Sequence, residues 1–287
     1  MRKRIMVLAF AVLPMFLLAA PVALASTQPI GDPGNWKLKF DDEFNGSSVN
    51  QANWNLNWFG ATNSSLTAPV NPNSEIECYN PKQSRVGGGA LKITAVKQNC
   101  AGYKYASDLL DTNGHFQYTY GFLEARIYLP ANGNGGVANW PAFWAGGHNW
   151  PVTGENDVME GLGGPVYWHF HWGTLADPQQ VGGGPAGNYS GWHTFGADWE
   201  PGSITYYYDG ADVGRVTANV TSAPMYLILD YALTNDWGTV QVPSTMSVDF
   251  VRVWQHQTGS LDRLQNALLR WPGRRVGHLK PSALTFR

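Results

Sequence analysis

Residues 154–161 read Gly-Glu-Asn-Asp-Val-Met-Glu-Gly, so three carboxylates lie within one short segment. On a β-strand alternate side chains share a face, and Glu155 and Asp157 therefore point the same way. Glu160 would face the opposite side of a regular strand. One extra residue at Val158-Met159, a β-bulge, restores the phase and places all three acids on one face.

Carboxylates crowded in this way predict acid–base chemistry. Their mutual repulsion raises the pKa of at least one of them, so an ionised carboxylate and a protonated acid coexist near neutral pH. Two carboxyl groups about 5–5.5 Å apart are the equipment of a retaining glycosidase. An acidic edge strand and a calcium site fit the same spacing, although calcium prefers loops that also supply carbonyl oxygens. The residues alone leave these alternatives open.

The sequence around this segment is typical of an all-β protein. Short stretches rich in β-branched and aromatic residues are separated by Gly, Asn and Pro, and turn signals such as Asp209-Gly210 lie between them. This spacing predicts an antiparallel sandwich or barrel. The Gly clusters at 87–89 and 182–184 predict turns, and the shape of residues 173–191 is not predictable. The clearest predicted strands are Leu91–Val96, Gly121–Leu129, Trp140–Ala145, Ile204–Tyr208, Met225–Leu229 and Met246–Trp254.

Charge and aromatic content limit the kind of substrate. Residues 26–258 carry a net charge of about −10, whereas the whole chain of 287 residues carries −2. An acidic body repels phosphates, which argues against nucleic acid as a partner and favours a neutral polymer or small molecule. The chain also has 13 Trp, whose flat indole faces can stack on sugar rings.

The two ends of the chain differ from its body. Residues 1–25 combine a basic start, an apolar stretch and an Ala23-Leu24-Ala25 cleavage site, which predicts a secretory signal peptide, a secreted protein and no stable membrane anchor. Residues 26–258 would form the catalytic domain. Residues 259–287 are basic and short of aromatics, and we expect a poorly ordered tail. Cys78 and Cys100 are the only cysteines, and in an oxidising compartment they favour one disulfide over two free thiols.

Several ordered segments resemble glycoside hydrolase family 16, the laminarinase- and lichenase-like enzymes. Glu155 to Glu160 match the Glu-x-Asp-x-x-Glu signature of its bulged branch. The resemblance covers nearly all of residues 35–256. The further matching segments are Asp42–Gly46, Asn73–Tyr79, Gly89–Ile93, Tyr120–Arg126, Trp140–Trp144, Trp192–Trp199 and Val248–Trp254.

This resemblance implies an all-β jelly-roll sandwich of concanavalin-like type, with a substrate cleft on the concave face. Glu155 would be the nucleophile and Glu160 the general acid/base, and Asp157 would hydrogen-bond to the nucleophile. The mechanism implied is double displacement through a covalent glycosyl-enzyme. We expect a monomer that acts on a polysaccharide and requires no cofactor.

The resemblance also implies supporting residues. Strand alternation places Glu124 and Arg126 on one face, and the family pattern puts that face in the cleft; a surface ion pair is the alternative. Trp140 and Trp144 share a face, and one or both would stack on glucosyl rings rather than pack in the core. His171 would face the cleft, and Trp237 is a weaker candidate. A structural Ca²⁺ would use Asp249 and the backbone of Gly89, where a capped strand end is the alternative.

Two positions depart from the family pattern. Asn156 stands where an aliphatic residue normally faces the core, so we expect either a local hydrogen bond or a more open strand. Phe122 stands where many laminarinase-like members carry Arg, which weakens any inference about the preferred substrate.

Competing functions remain open from the sequence. His169 and His171 could begin a metal site, but only His148 and His193 lie nearby as further ligands, so metal catalysis is disfavoured. A sugar-binding jelly roll without activity would not need three crowded acids. A transglycosylase is disfavoured because the plant enzymes of the family use the unbulged spacing. The expected activity is an endo-acting β-glucanase on β-1,3- or mixed β-1,3/1,4-glucan, and galactans are the alternative substrate.

Overall fold

The computed structural model describes residues 28–257, so the signal peptide expected at 1–25 and the tail at 259–287 lie outside the described residues. Residues 28–257 form seventeen strands and one short 3-10 helix, Pro81–Gln83. The strands are β1 (Trp36–Asp42), β2 (Asn55–Leu56), β3 (Glu77–Tyr79), β4 (Ser84–Val86), β5 (Leu91–Cys100), β6 (Tyr103–Ser107), β7 (Leu109–Asp111), β8 (Gly121–Leu129), β9 (Trp140–Gly146), β10 (Glu155–Gly161), β11 (Val166–Thr174), β12 (Asp177–Gly183), β13 (Gly191–Glu200), β14 (Ser203–Tyr208), β15 (Ala211–Val216), β16 (Tyr226–Ala232) and β17 (Ser244–His256).

These strands form two sheets that pack face to face. The larger sheet has the order β15-β14-β13-β8-β17-β5-β6-β3, with β1 added beside β17 and β4 beside β5. The smaller sheet has the order β12-β11-β10-β9-β16-β7-β2. All pairings are antiparallel except that of β3 with β6. The predicted antiparallel sandwich is confirmed.

Strand alternation builds the core between the sheets. On β8, for example, Leu123, Ala125 and Ile127 are fully buried in the main hydrophobic cluster. Phe143 and Ala145 on β9 meet them from the smaller sheet. The other face of each strand is then free to carry polar groups, which is how the smaller sheet can present carboxylates outward while its inner face packs.

Several local predictions can be compared with the structure. Gly121–Leu129 is a strand over that exact range, and Asp209 and Gly210 form the β14–β15 turn with φ values of 49° and 80°. The Gly182–Gly184 prediction is wrong: Gly182 and Gly183 end the exposed strand β12. A Cβ at Gly182 would collide with the ring of His169 on the neighbouring strand, so this glycine makes room for a side chain rather than for a turn.

A disulfide joins Cys78 on β3 to Cys100 on β5, with their Cα atoms 5.7 Å apart. The prediction of a bridge is therefore confirmed. It links two strands that lie on either side of β6 and closes a loop with a sequence separation of 22.

Within residues 28–257, no helix has the length and apolar character needed to cross a membrane.

Asp108, between β6 and β7, gives a testable dependence of stability on pH. The residue is fully buried, and burial raises the pKa of its carboxyl group to about 7 although the Ser84 hydroxyl and the Leu109 amide partly oppose this. Below about pH 4 both the folded and unfolded states hold this proton, so the carboxyl group costs nothing. As pH rises towards 7 the unfolded chain ionises first, and the free energy of unfolding falls.

Replacing Asp108 by Asn should remove that fall. We expect the free energy of unfolding of Asp108→Asn to exceed that of the parent by roughly 2–4 kcal/mol at pH 8 and by little at pH 4. Urea denaturation at a series of pH values measures this, and Asp236→Asn, at an exposed position, is the control. A difference that does not grow with pH would contradict the assignment.

Candidate active site

A cavity of about 650 Å³ lies on the outer face of the smaller sheet. Its floor carries the three carboxylates of β10 together with side chains from β9, β11 and β16, and its walls come from the loops around residues 58, 71 and 148. Its lining residues are Trp58, Phe59, Val70, Asn71, Pro72, Asn73, Glu75, Trp140, Ala142, Trp144, Gly146, Gly147, His148, Trp150, Glu155, Asp157, Glu160, His171, Tyr226 and Asp230. Among the described residues, no Lys or Arg lines it, so the cavity suits a neutral ligand.

The predicted bulge in β10 is present. Asp157 pairs with Trp144 on β9, and the next pair is Met159 with Phe143, so the register shifts between them. The pairing with β11 shifts over the same stretch, from Asp157 to Glu160. Val158 and Met159 are both fully buried in the core, whereas Glu155, Asp157 and Glu160 all line the cavity. The extra residue is therefore accommodated in the core, and the three acids stay on one face.

Glu160 is held by two neighbours, one at each oxygen. The indole Nε1 of Trp140 donates to Oε1 at 2.8 Å, and His169 Nδ1 lies 2.7 Å from Oε2. An imidazole nitrogen can donate to a carboxylate or accept from a carboxylic acid, depending on its tautomer. His169 can thus stay hydrogen-bonded to Glu160 in either protonation state.

Glu155 lies at the other end of the carboxylate row. Burial raises the pKa of Glu155 well above its ordinary value, and the charge of Asp157 raises it further. His171 opposes this, since its Nε2 lies 3.5 Å from Glu155 Oε1, and so does a hydrogen bond from the side chain of Trp150. His171 therefore lies where the sequence predicted, at the cavity floor.

Asp157 lies between the two glutamates along the strand. Burial raises its pKa well above the ordinary value, and the charge of Glu160 adds to the effect, while His169 lowers it. Its Oδ2 is 3.0 Å from His171 Nε2. The three acids and two histidines form one coupled group, and the row carries fewer than three negative charges over a range of pH in which isolated acids would all be ionised.

Two further acids in the cavity were missed by sequence reasoning. Asp230 Oδ1 accepts a hydrogen bond from Trp144 Nε1 at 2.7 Å, and burial together with the charge of Glu75 raises the pKa of Asp230 well above its usual value. Glu75 accepts from the Tyr79 hydroxyl and the Asn71 amide, both at 2.7 Å. Alternation along Tyr226–Ala232 could have indicated Asp230 as a polar residue in an otherwise apolar strand.

The aromatic lining is partly as predicted. Trp140 is half-buried and lines the cavity, and Trp237 meets its edge at a centroid distance of 4.6 Å. Trp144 also borders the cavity, but it is only 8% exposed and packs among Tyr226 and Ile228. The walls instead present Phe59 and Trp150, which are 59% and 43% exposed. Both come from loops, whose shapes alternation does not predict.

The structure corrects the placement of Glu124 and Arg126. They share a face of β8, as expected, but that face belongs to the larger sheet and points away from the cavity. Glu124 is buried and accepts a hydrogen bond from the Ile30 amide at 2.8 Å. Arg126 pairs with Asp249 at 2.7 Å rather than with Glu124, so the alternative of an ion pair between Glu124 and Arg126 is wrong as well.

The same ion pair bears on the expected calcium site. Asp249 would have to supply the carboxylate, but one of its oxygens binds the guanidinium of Arg126. A cation already neutralises the only side-chain ligand in that donor set, so Asp249 and Gly89 do not fit Ca²⁺ as they are arranged. The alternative of a catalytic metal site at His169 and His171 needed His148 or His193 as a further ligand. His148 lines the cavity together with His171, whereas His193 lies on the larger sheet and pairs with Asp209.

The two departures from the family pattern have definite surroundings. Asn156 is fully buried between Ala145 and Phe170, and neither polar atom of its side chain has a hydrogen-bond partner. Both expectations for it, a local hydrogen bond or an open strand, are wrong. Phe122 is buried on the outer face of the larger sheet with Trp36 and Trp254. The position at which this chain has Phe instead of Arg therefore lies away from the cavity.

Comparison with known proteins finds a matching family and relatives in both sequence and structure. The model of the family described as glycosyl hydrolases family 16 matches residues 72–251. A β-glucanase of Rhodothermus marinus is 28% identical over 77% of this chain and 86% of its own length. The clotting factor G alpha subunit of Tachypleus tridentatus is 29% identical over 78% of this chain, which spans only 35% of that protein. The crystal structure of an endo-β-1,3-glucanase from Pyrococcus furiosus superposes with a TM-score of 0.65 at 28% identity, covering 78% of this chain and 96% of the other. The fold is thus the expected jelly roll.

Proposed function

The chain belongs to glycosyl hydrolase family 16, and from that premise we propose that it is an endo-β-glucanase. It cleaves β-1,3- or mixed β-1,3/1,4-glucan with retention of anomeric configuration. The observation that carries the proposal is the bulged strand β10, which brings Glu155, Asp157 and Glu160 together at the floor of a cavity free of basic side chains. The activities named for its relatives on β-glucans support the choice of substrate.

The first step forms a covalent intermediate. A Glu155 oxygen attacks the anomeric carbon, the bond from that carbon to the glycosidic oxygen breaks, and the proton of Glu160 moves to the departing oxygen. Glu155 is largely desolvated, so its carboxylate is a better nucleophile and is less well stabilised by water than a surface acid. The neighbouring Asp157 raises the pKa of Glu155, and His171, which also contacts Asp157, lowers it.

The second step releases the sugar. Glu160, now a carboxylate, takes a proton from water, the water oxygen bonds to the anomeric carbon, and the ester bond to Glu155 breaks. Glu160 must therefore alternate between acid and carboxylate within each turnover. Trp140 and His169 keep its two oxygens in place through both states.

Export is part of the proposal. The features of residues 1–25 support a secretory signal, and a disulfide at Cys78 and Cys100 suits an oxidising compartment. A polymeric substrate outside the cell is consistent with both.

The test of this function is a panel of laminarin, lichenan and agarose. We expect laminarin or lichenan to release reducing sugars and to give products of internal cleavage. Proton NMR of the first products should show the β-anomer before mutarotation. Binding without release of reducing ends would support a sugar-binding module instead. Longer products without net new reducing ends would support a transglycosylase, and activity confined to agarose would support a galactan hydrolase.

His169 offers a separate prediction about positioning. His169→Ala should lower kcat by about 10–100-fold, because a hydrogen bond to a charged group is typically worth about 1.5–3 kcal/mol. KM should change little, since His169 does not itself line the cavity and acts through its hydrogen bond to Glu160. His169→Asn, which can still donate or accept, should recover part of the loss.

Steady-state kinetics over a range of pH measures these effects. His115→Ala is the control, because His115 is exposed and bonds to Asn55 at the far side of the smaller sheet. A His169→Ala protein with parental kcat at every pH would refute a positioning role.

A further inference from the structure

Two groups of side chains that could ligate a metal ion lie among the acids and histidines of the cavity, and a third lies apart from them, on the outer face of the larger sheet. Asp32 comes from the segment before β1, Asp198 from β13 and His256 from the end of β17. One ligand atom from each lies within 4.8 Å of the other two. The neighbours of Asp198, Ala197 and Trp199, point into the core, so Asp198 itself faces outward, away from the proposed catalytic site.

Asp198 is unusual for a carboxylate on an outer face. It is only 7% exposed, and its Oδ1 has no hydrogen-bond donor. Its carboxyl group lies beside another acid, since the side chains of Asp32 and Asp198 approach within hydrogen-bonding range. Glu200 adds further negative charge, and among the described residues no Lys or Arg forms an ion pair with Asp32 or Asp198; the charge of Arg215 acts on Asp198 only weakly. Asp198 therefore offers a buried carboxylate oxygen without a partner beside a second carboxyl group and an imidazole, an arrangement that a bound cation would satisfy.

Trp36 fixes the other two ligands in place. Its indole Nε1 donates to the backbone carbonyl of Asp32 at 2.9 Å. Its ring stacks on the imidazole of His256 with centroids 3.6 Å apart and planes inclined by 28°. Trp36 is itself buried against Phe122 and Trp254, so the loop and the end of β17 are positioned by a packed aromatic cluster.

We propose that Asp32, Asp198 and His256 bind one divalent transition-metal ion of the Zn²⁺ class. One imidazole nitrogen with two carboxylates is a donor set that suits Zn²⁺ better than Ca²⁺, which takes six to eight oxygen ligands. The ion would have a structural role, since it would tie the segment before β1 to β13 and to the end of β17. It takes no part in glycoside hydrolysis, and the proposal is independent of the function proposed above.

The test uses the full chain after treatment with chelator and dialysis. Isothermal titration with Zn²⁺ should show one site, and the melting temperature should rise by about 5–10 °C when free Zn²⁺ is 100 times Kd. Ca²⁺ at the same concentration should give a much smaller rise. Co²⁺ should bind at the same site and give visible absorption bands.

Two variants distinguish this site from the carboxylates in the cavity. His256→Gln, at an exposed position that should not disturb folding, should abolish Zn²⁺ binding and the rise in melting temperature. His171→Gln should leave both unchanged. If His256→Gln still binds Zn²⁺ as the parent does, or if His171→Gln loses the binding, the proposal is wrong. Asp198→Asn provides a second check, with the expected loss of binding measured at a temperature where this variant is folded.

Discussion

The Glu155→Gln protein should fold like the parent, and its kcat on its best glucan substrate should fall by at least about 10⁴-fold. Losses of this size are typical when a hydrolase loses its nucleophile. The amide keeps the shape of the side chain but cannot form the ester intermediate. Because burial and the charge of Asp157 raise the pKa of Glu155, removing its carboxyl group should also leave the melting temperature unchanged or higher.

Chemical rescue makes this result specific to the nucleophile. In Glu155→Ala an added azide ion can enter the vacated space and attack the anomeric carbon directly, so an α-glycosyl azide should accumulate from an activated β-glycoside. The control is Glu124→Gln, which changes another buried glutamate but on the larger sheet, and it should retain parental kcat. Near-parental hydrolysis by Glu155→Gln, or azide rescue that gives the β-product, would refute the assigned role.

Glu160→Gln should show a loss that depends on the leaving group. With a polysaccharide, whose departing oxygen needs a proton, we expect a fall of about 10²–10⁴-fold in kcat, the usual contribution of general acid–base catalysis. With a 2,4-dinitrophenyl β-glycoside the leaving group departs without a proton, so the first step should keep most of its rate. The ester intermediate should then accumulate because no base activates the water.

A burst of dinitrophenol equal to the enzyme concentration would measure that accumulation, and mass spectrometry would find the sugar on Glu155. Azide, which needs no base, should release the intermediate from Glu160→Ala as a β-glycosyl azide. The two glutamates therefore predict azide products of opposite configuration. An equal loss on both substrates, without a burst, would contradict the role of Glu160 as acid/base.

The site could be predicted from the sequence where alternation and spacing were sufficient. A bulge is needed for Glu155, Asp157 and Glu160 to share a face. To predict it, one extra residue has to be assigned to Val158-Met159. Trp140 and His171 followed from alternation on the two strands that flank β10. These predictions depend on local backbone geometry, which neighbouring residues largely determine.

Other features depended on information that alternation does not contain. Alternation correctly predicts that Glu124 and Arg126 share a face of β8. Whether that face lines the cavity or lies outside it depends on which sheet contains β8. Phe59 and Trp150 lie on loops whose paths depend on distant contacts. The sequence predicts a turn at Gly182, since the ring of His169 that this glycine accommodates belongs to another strand.

The bulge has a consequence for how this enzyme can change over evolution. Deletion of either Val158 or Met159 would leave the acids two residues apart along an unbroken strand, still on the same face. Such a deletion would therefore shorten the spacing between Glu155 and Glu160 while both side chains keep the same orientation. In most strands a one-residue indel exchanges the surfaces that the side chains occupy. Here the spacing between Glu155 and Glu160 could change by one residue without moving either side chain to the other face of the sheet.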